Sequence, residues 1–214
     1  MVTDPVLDAF AAEAGRLAEA VASVGVEEWA LPTRCSPWTV AGLLGHVVTV
    51  IGWIPGMLGG EAPLSADVSA RAYYRADKRF SPESNSVRIA LGIERAGSGG
   101  PALAREFLAL QERVVGLCRL ESPDRVVRTR HGDAMLLTDF LVTRIVEVGL
   151  HGVDLADALG REPWLTPAAA AVLKDLYGTG EVVGMDDVTL LKMLSGRLPA
   201  SGIDLAGSNP LTLG

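Results

Sequence analysis

The sequence predicts a mainly α protein in which long amphipathic helices pack as a bundle, followed by a short C-terminal α(+β) appendage. Three observations lead there. Hydrophobic residues make up 49% and charged residues 21% of the chain, which supplies ample core, while aromatics are only 5% and Ala, Leu, Val and Gly dominate; such a composition favours helices in close contact through small side chains. Apolar residues recur at helical spacing in segments near 3–24, 38–58, 101–120 and 136–158. Finally, residues 139–160 are apolar over most of a helix surface but carry one polar line, Arg144, Glu147, His151 and Asp154, spaced three, four and three. At about 100° per residue these four fall within roughly one quarter of the circumference.

In chain order, Thr3 is the expected N-cap of the first helix, with Asp4 in its positive first turn, Pro5 tolerated there and Gly25 ending it. The connector EEWALPTRCSPW is punctuated by prolines, and Ser36–Pro37 reads as the N-cap and N1 pair of a helix running from Trp38 to about Leu58. That helix carries His46 beside Gly42 and Gly45, glycines that let another backbone approach closely. A loop follows to about Ser69, then a short helical piece over 70–79 and a helix over 82–96. GSGGP reads as a linker, since it lacks the strand before it and the Lys-Ser/Thr after it that a phosphate cradle needs. A helix over 101–120 comes next, with Leu103, Phe107, Leu110, Val114 and Leu117 on one face, then an extended segment over 126–129 and the polar-striped helix. Beyond Gly160, helices are expected over 166–177 and 187–194, and the tail from Gly196 is expected as loop with short strand at best. The expected division is a bundle over 1–162 and an appendage over 163–214, too small for its own core and expected to pack on the bundle.

Charge and composition exclude several classes. The net charge is −7 and there is no basic cluster, so neither nucleic acid nor an anionic membrane is an expected partner. The longest apolar run, around Val47 to Leu58, is broken by Gly52 and Pro55 and reads as too short for a bilayer span. Two distant cysteines, Cys35 and Cys118, form no disulfide framework, and the first residues do not read as a signal peptide. A reducing, cytoplasmic setting is the expectation.

The polar line is where chemistry is expected. Glu147 and His151, four apart, point the same way along one helix, the spacing at which two side chains share a divalent metal; His46, on a separate helix, would complete a site of two imidazoles and one carboxylate with an open position. Zinc suits such a donor set first, with nickel or iron as alternatives. The spacing is equally compatible with a buried Glu–His hydrogen bond. Arg144 reads as an ion-pair residue and Asp154 as a support for the ligands. His131, in RTRHGDA, reads as a solvated loop residue, and both cysteines read as buried. Arg197, in LSGRLP, reads either as an anion-binding residue or as a surface charge. Neither GxSxG nor HExxH is present.

Two segments resemble the signatures of the mycothiol-dependent maleylpyruvate isomerase family, within the DinB/YfiT-like superfamily: WALPTRCSPWTVAGLLGHV and TRIVEVGLHGVDLADALGREP. The resemblance covers most of residues 1–165. It implies a DinB-like four-helix bundle, metal ligation by His46, Glu147 and His151, and use of mycothiol, the small thiol of actinobacteria, as co-substrate. The metal, usually zinc, would activate the thiol for addition to a small electrophilic or acidic substrate, in an isomerase or in a mycothiol S-transferase. In the family's isomerase a Gly-Arg segment of the C-terminal domain helps hold the acidic substrate; Ser195-Gly196-Arg197 resembles it, which implies a substrate-anion role for Arg197. Alternatives on the same bundle are a thiol-independent metal hydrolase or biosynthetic enzyme, and a non-catalytic binding module.

Overall fold

The computed structural model describes residues 4–75, 77–179 and 184–199. Four helices form a ring in the order α1 (Pro5–Ala22), α6 (Gly100–Cys118), α2 (Val40–Ile51) and α7 (Leu137–Ala158), each packed on the next and the last on the first. This is the expected four-helix bundle. Between α2 and α6 the chain adds α3 (Ile54–Leu58), α4 (Ala70–Tyr73) and α5 (Pro82–Ala96), the last lying along α2. The appendage supplies α8 (Pro167–Tyr177) against α1 and α7, and α9 (Asp187–Leu194) against α8 and α7. Both helices pack on the bundle. The expected strand in the tail lies beyond residue 199, outside the described residues.

Several boundaries differ from the expected ones for local reasons. Asp4, not Thr3, caps α1: its carboxylate accepts from the backbone N–H of Val6 and Leu7, and Pro5 occupies N1. The helix stops at Ala22, before Gly25, where the Ser23 hydroxyl donates to Ala20 O. Thr39, not Ser36, caps α2, accepting from Gly42 N. Ser36 and Pro37 instead sit inside a closed turn, because Thr33 N and Oγ1 both donate to Trp38 O and Val40 N donates to Leu31 O. The helix expected over 38–58 is two helices. Pro55 has no N–H to donate to Ile51 O and its ring crowds that carbonyl, so α2 ends at Ile51 and α3 begins anew. The stretch Val40–Leu58 does have the length and hydropathy of a membrane span, more than the run read from the sequence, but 67% of it is buried inside the protein.

The extended segment at 126 is half of a hairpin. β1 (Val126–Arg128) pairs antiparallel with β2 (Ala134–Leu136), Val127 opposite Met135, and both of those side chains are fully buried. The turn between them is closed by Thr129 N donating to Asp133 O, with Gly132 at φ 95, a conformation that suits a residue without Cβ.

Every residue of α2 except Ala41 is buried, because α5, α6 and α7 surround it. Its glycines permit this: a Cβ on Gly45 would lie 2.4 Å from Gly92 O of α5. Replacing Gly45 by Ala must therefore push α5 away. The expected cost is about 1–3 kcal/mol, measured by urea unfolding; unchanged stability would refute the close-contact argument.

Between α1 and α8 lies a second constraint. Glu13 is fully buried, its Oε2 accepts from Thr166 N at 2.7 Å, and its Oε1 has no hydrogen-bond partner among the described residues. Burial raises its pKa above 4.5 despite Thr166 and Arg16. The folded state thus holds this proton more tightly than the unfolded chain. In the window from 4.5 up to the raised value, stability falls as pH rises, by up to about 1.4 kcal/mol per pH unit. Glu13→Gln should remove that slope in urea titrations at a series of pH values; an unchanged slope would assign it to another group.

Candidate active site

α2 and α7 are neighbours in the ring, and their shared face brings His46 to Glu147 and His151. His46 Nε2 lies 3.0 Å from Glu147 Oε2, and His151 Nε2 lies 3.4 Å from the same oxygen. The two imidazoles meet edge to face, ring centres 5.2 Å apart. One donor atom from each of the three residues lies within 4.8 Å of the others. A tetrahedral cation with bonds of about 2.0–2.1 Å sets neighbouring donors roughly 3.3–3.5 Å apart, so the three side chains could hold one divalent ion with small rotamer adjustments.

The surroundings prepare the donors differently. Burial pushes the Glu147 carboxyl up, but hydrogen bonds with both histidines and the charge of Arg144 outweigh it and hold the group well below the ordinary value. Burial pulls the His46 imidazole down, and Glu147 only partly offsets this, so His46 favours its neutral form. Trp38 stacks on its face, ring centres 4.7 Å apart. For His151 burial also acts downward, but contacts with Asp154, Cys35 and Glu147 prevail and raise its pKa well above the ordinary value.

Asp154 stands behind His151 and is completely buried. His151 Nδ1 lies 3.0 Å from Asp154 Oδ2, an arrangement that leaves Nε2 directed at Glu147. Arg197 clamps both oxygens of the same carboxylate, Nε to Oδ1 at 2.8 Å and Nη2 to Oδ2 at 2.6 Å. The reach comes from the end of α9: Gly196 adopts φ 70, and Arg197 N donates back to Lys192 O, turning the arginine towards α7. Burial would raise the Asp154 pKa, but His151 and Arg197 hold it below the usual carboxylate range.

The histidine pair opens on a cavity of about 440 Å³. Its walls come from α2, α5, α7, the connector before α2, the hairpin turn and the end of α9. Trp38, Trp53, Tyr73, Tyr74 and Phe80 give it aromatic surface, and six arginines line it. Tyr74 donates to Thr143 O, and burial followed by the charge of Glu147 keeps its hydroxyl protonated far above the usual range.

The structure thus brings His46, Glu147 and His151 together and adds Asp154 and Arg197 as a linked pair. Arg144 is a buried ion-pair residue, as expected; it donates to Val50 O and lies 3.8 Å from Glu147 Oε1, and it also borders the cavity. Two expectations are corrected. His131 is not freely solvated but lines the cavity, where burial and then Arg130 and Arg79 lower its pKa to about 4. Cys35 is only half-buried and lies on the cavity wall, its Sγ donating to Asp154 Oδ2 at 3.3 Å; its partner is 119 residues away in sequence, so nothing local signals the contact. Cys118 is a core residue as expected, its thiol pushed by burial up to about 12. Reading the sequence missed Tyr74, Arg79, Arg88 and Arg130 as site residues. The available signal was the density of arginines over 71–95 and 125–130 in an otherwise acidic chain.

Fold and site together define a DinB-like helical bundle with a His/His/Glu donor cluster at the base of a cationic cavity. The model of the mycothiol maleylpyruvate isomerase N-terminal domain family matches residues 10–156, more than half of the chain, and the chain belongs to that family. Two solved structures are similar in fold. One is described as the crystal structure of the mycothiol-dependent maleylpyruvate isomerase, with TM-score 0.59 and 18% identity over 95% of this chain and 90% of that one. The other is a mutant of that isomerase with one histidine changed to alanine, with TM-score 0.58 and 17% identity over the same shares. No curated protein sequence matches the chain.

The Asp154 carboxylate is the common partner of a raised histidine and a buried arginine. Asp154→Ala leaves Arg197 without its carboxylate and His151 with Glu147 alone, and is expected to destabilise the fold by about 3–5 kcal/mol. Thermal and urea unfolding measure this; a loss below about 1 kcal/mol would mean that the pair is not the constraint the geometry implies.

Proposed function

We propose that this protein is a divalent-metal-dependent enzyme that uses mycothiol, either isomerising a maleylpyruvate-type acid or transferring the thiol to an electrophile. The observation that carries the reading is the convergence of His46, Glu147 and His151 within 4.8 Å beside a substrate-sized cavity, in a chain of the mycothiol maleylpyruvate isomerase family. Those three residues are the proposed ligands, zinc the proposed ion. When bound there, the cation would hold a thiol as thiolate near neutral pH.

The protein's own groups do the rest. Burial lowers the His46 pKa, Glu147 is held well below the usual carboxylate range, and Asp154 aims His151. Asp154 and Arg197 are the proposed supporting residues; Arg197 reaches the cavity from the appendage over 163–214, which would complete a site built on the bundle over 1–162. The reaction class that fits is reversible addition: the thiol sulfur bonds to one carbon of a conjugated cis double bond, the electron pair moves onto the adjoining carbonyl, the former double bond rotates, and loss of the thiol restores the trans alkene. Stopping at the protonated adduct would give a transferase. A small soluble substrate and a cytoplasmic setting belong to the same reading.

The test joins elemental analysis with assays on maleylpyruvate, with and without mycothiol. About one divalent ion per chain is expected, strongly reduced in His46→Ala, Glu147→Ala and His151→Ala, together with turnover that requires the thiol. Full metal occupancy in the His151→Ala protein would remove that residue from the site. Metal-dependent turnover of an electrophile without thiol would favour the hydrolytic alternative.

A further inference from the structure

The arginines of the cavity are not equivalent. Arg197 is clamped on Asp154, and Arg79 is held by both oxygens of Asp133 and by Tyr73 O. Arg144 donates to Val50 O and faces Glu147, and Arg88 donates to Asn85 Oδ1 and Arg79 O. Arg34 lies 3.9 Å from the Asp154 carboxylate on the Cys35 side of the site, with 40% of its side chain exposed. Arg130 differs from all of these: among the described residues it makes no hydrogen bond and no ion pair. Its guanidinium instead lies 4.3 Å above the ring of Trp53.

That position is built rather than accidental. Arg130 sits in the hairpin turn, which Arg79 braces through Asp133, while Thr129 accepts from His131 N and donates to Asp133. Trp53, its platform, stands at the break between α2 and α3. Burial lowers the Arg130 pKa, and the charges of Arg88 and Arg144 act the same way. A partly desolvated guanidinium facing other cations, with its fork of donors unoccupied, is unfavourable until an anion arrives. A carboxylate matches that fork with two parallel hydrogen bonds.

We propose that Arg130, stacked on Trp53 and braced by the Arg79–Asp133 pair, is the residue that binds the carboxylate of the ligand in this cavity and so selects acids over neutral electrophiles. The inference rests on the reading of the cavity as the substrate site. It differs from the expectation that the arginine near the C-terminus recognises the anion, because Arg197 is already engaged by Asp154.

The experiment uses the whole 214-residue chain and maleate as a probe, titrated calorimetrically without thiol, against Arg130→Gln, Arg130→Lys and Arg34→Gln, with maleamide as the neutral comparison. Arg130→Gln is expected to weaken maleate binding by about tenfold or more. Arg130→Lys, which keeps the charge but not the fork, should fall between it and the native protein, with Arg34→Gln losing less and maleamide not distinguishing the variants. In thiol-dependent assays of an acidic substrate, Arg130→Gln should raise KM more than it lowers kcat. Absence of maleate binding by the native protein, equal affinity in Arg130→Gln, or a larger loss in Arg34→Gln would overturn the proposal. Native maleate binding that depends on Arg130, without any thiol-dependent turnover, would sink the proposed function and leave this inference standing. Thiol-dependent turnover with KM unaffected by Arg130→Gln would do the reverse.

Discussion

A single run of buried and part-buried polar groups ties the molecule together: His46 on α2, Glu147, His151 and Asp154 on α7, and Arg197 just past α9. Each of these would be costly in the interior alone. Each is tolerable because the next one supplies its hydrogen bond or its counter-charge. The spacing of α2 from α7, and the return of the chain after α9, are therefore set by the same requirement. A shift of either element would strand a charge, which is a steeper penalty than the loss of an apolar contact.

The bundle supplies the geometry that this run needs. Close approach at Gly45 and Gly92 lets α5 lie along α2, and Trp38 Nε1 donates to Ile89 O across the same junction. The Trp38 ring that this contact fixes is the one stacked on His46. Small residues thus act at a distance from the chemistry: they set the separation of two helices, and the separation sets the orientation of an imidazole.

Charge is distributed unevenly. The chain as a whole carries −7, yet Glu147 is the only carboxylate lining the cavity among the described residues, beside six arginines. Low-dielectric aromatic walls strengthen that local field. Acidic residues outside the cavity lining engage some of these arginines, Asp133 and Asp77 holding Arg79 and Asp154 holding Arg197, and so decide which cations remain available to a ligand.

Much of this was legible in residues 139–160. A polar line spaced three, four and three on an apolar helix placed Glu147, His151 and Asp154 on one face because helical period alone dictates it, and the composition pointed to close-packed helices. The pairing with His46, 101 residues away, was legible only as one of two alternatives, since periodicity says which residues share a face and not which face meets which. Helix ends were misplaced where a competing local bond prevailed, at Asp4, at Thr39 and at Pro55. Cys35, His131 and Arg130 lie in turns, where no period exists to read. Their role depends on contacts between segments distant in the chain, and such contacts are selected by packing and by the pairing of buried charges, which only the folded structure expresses.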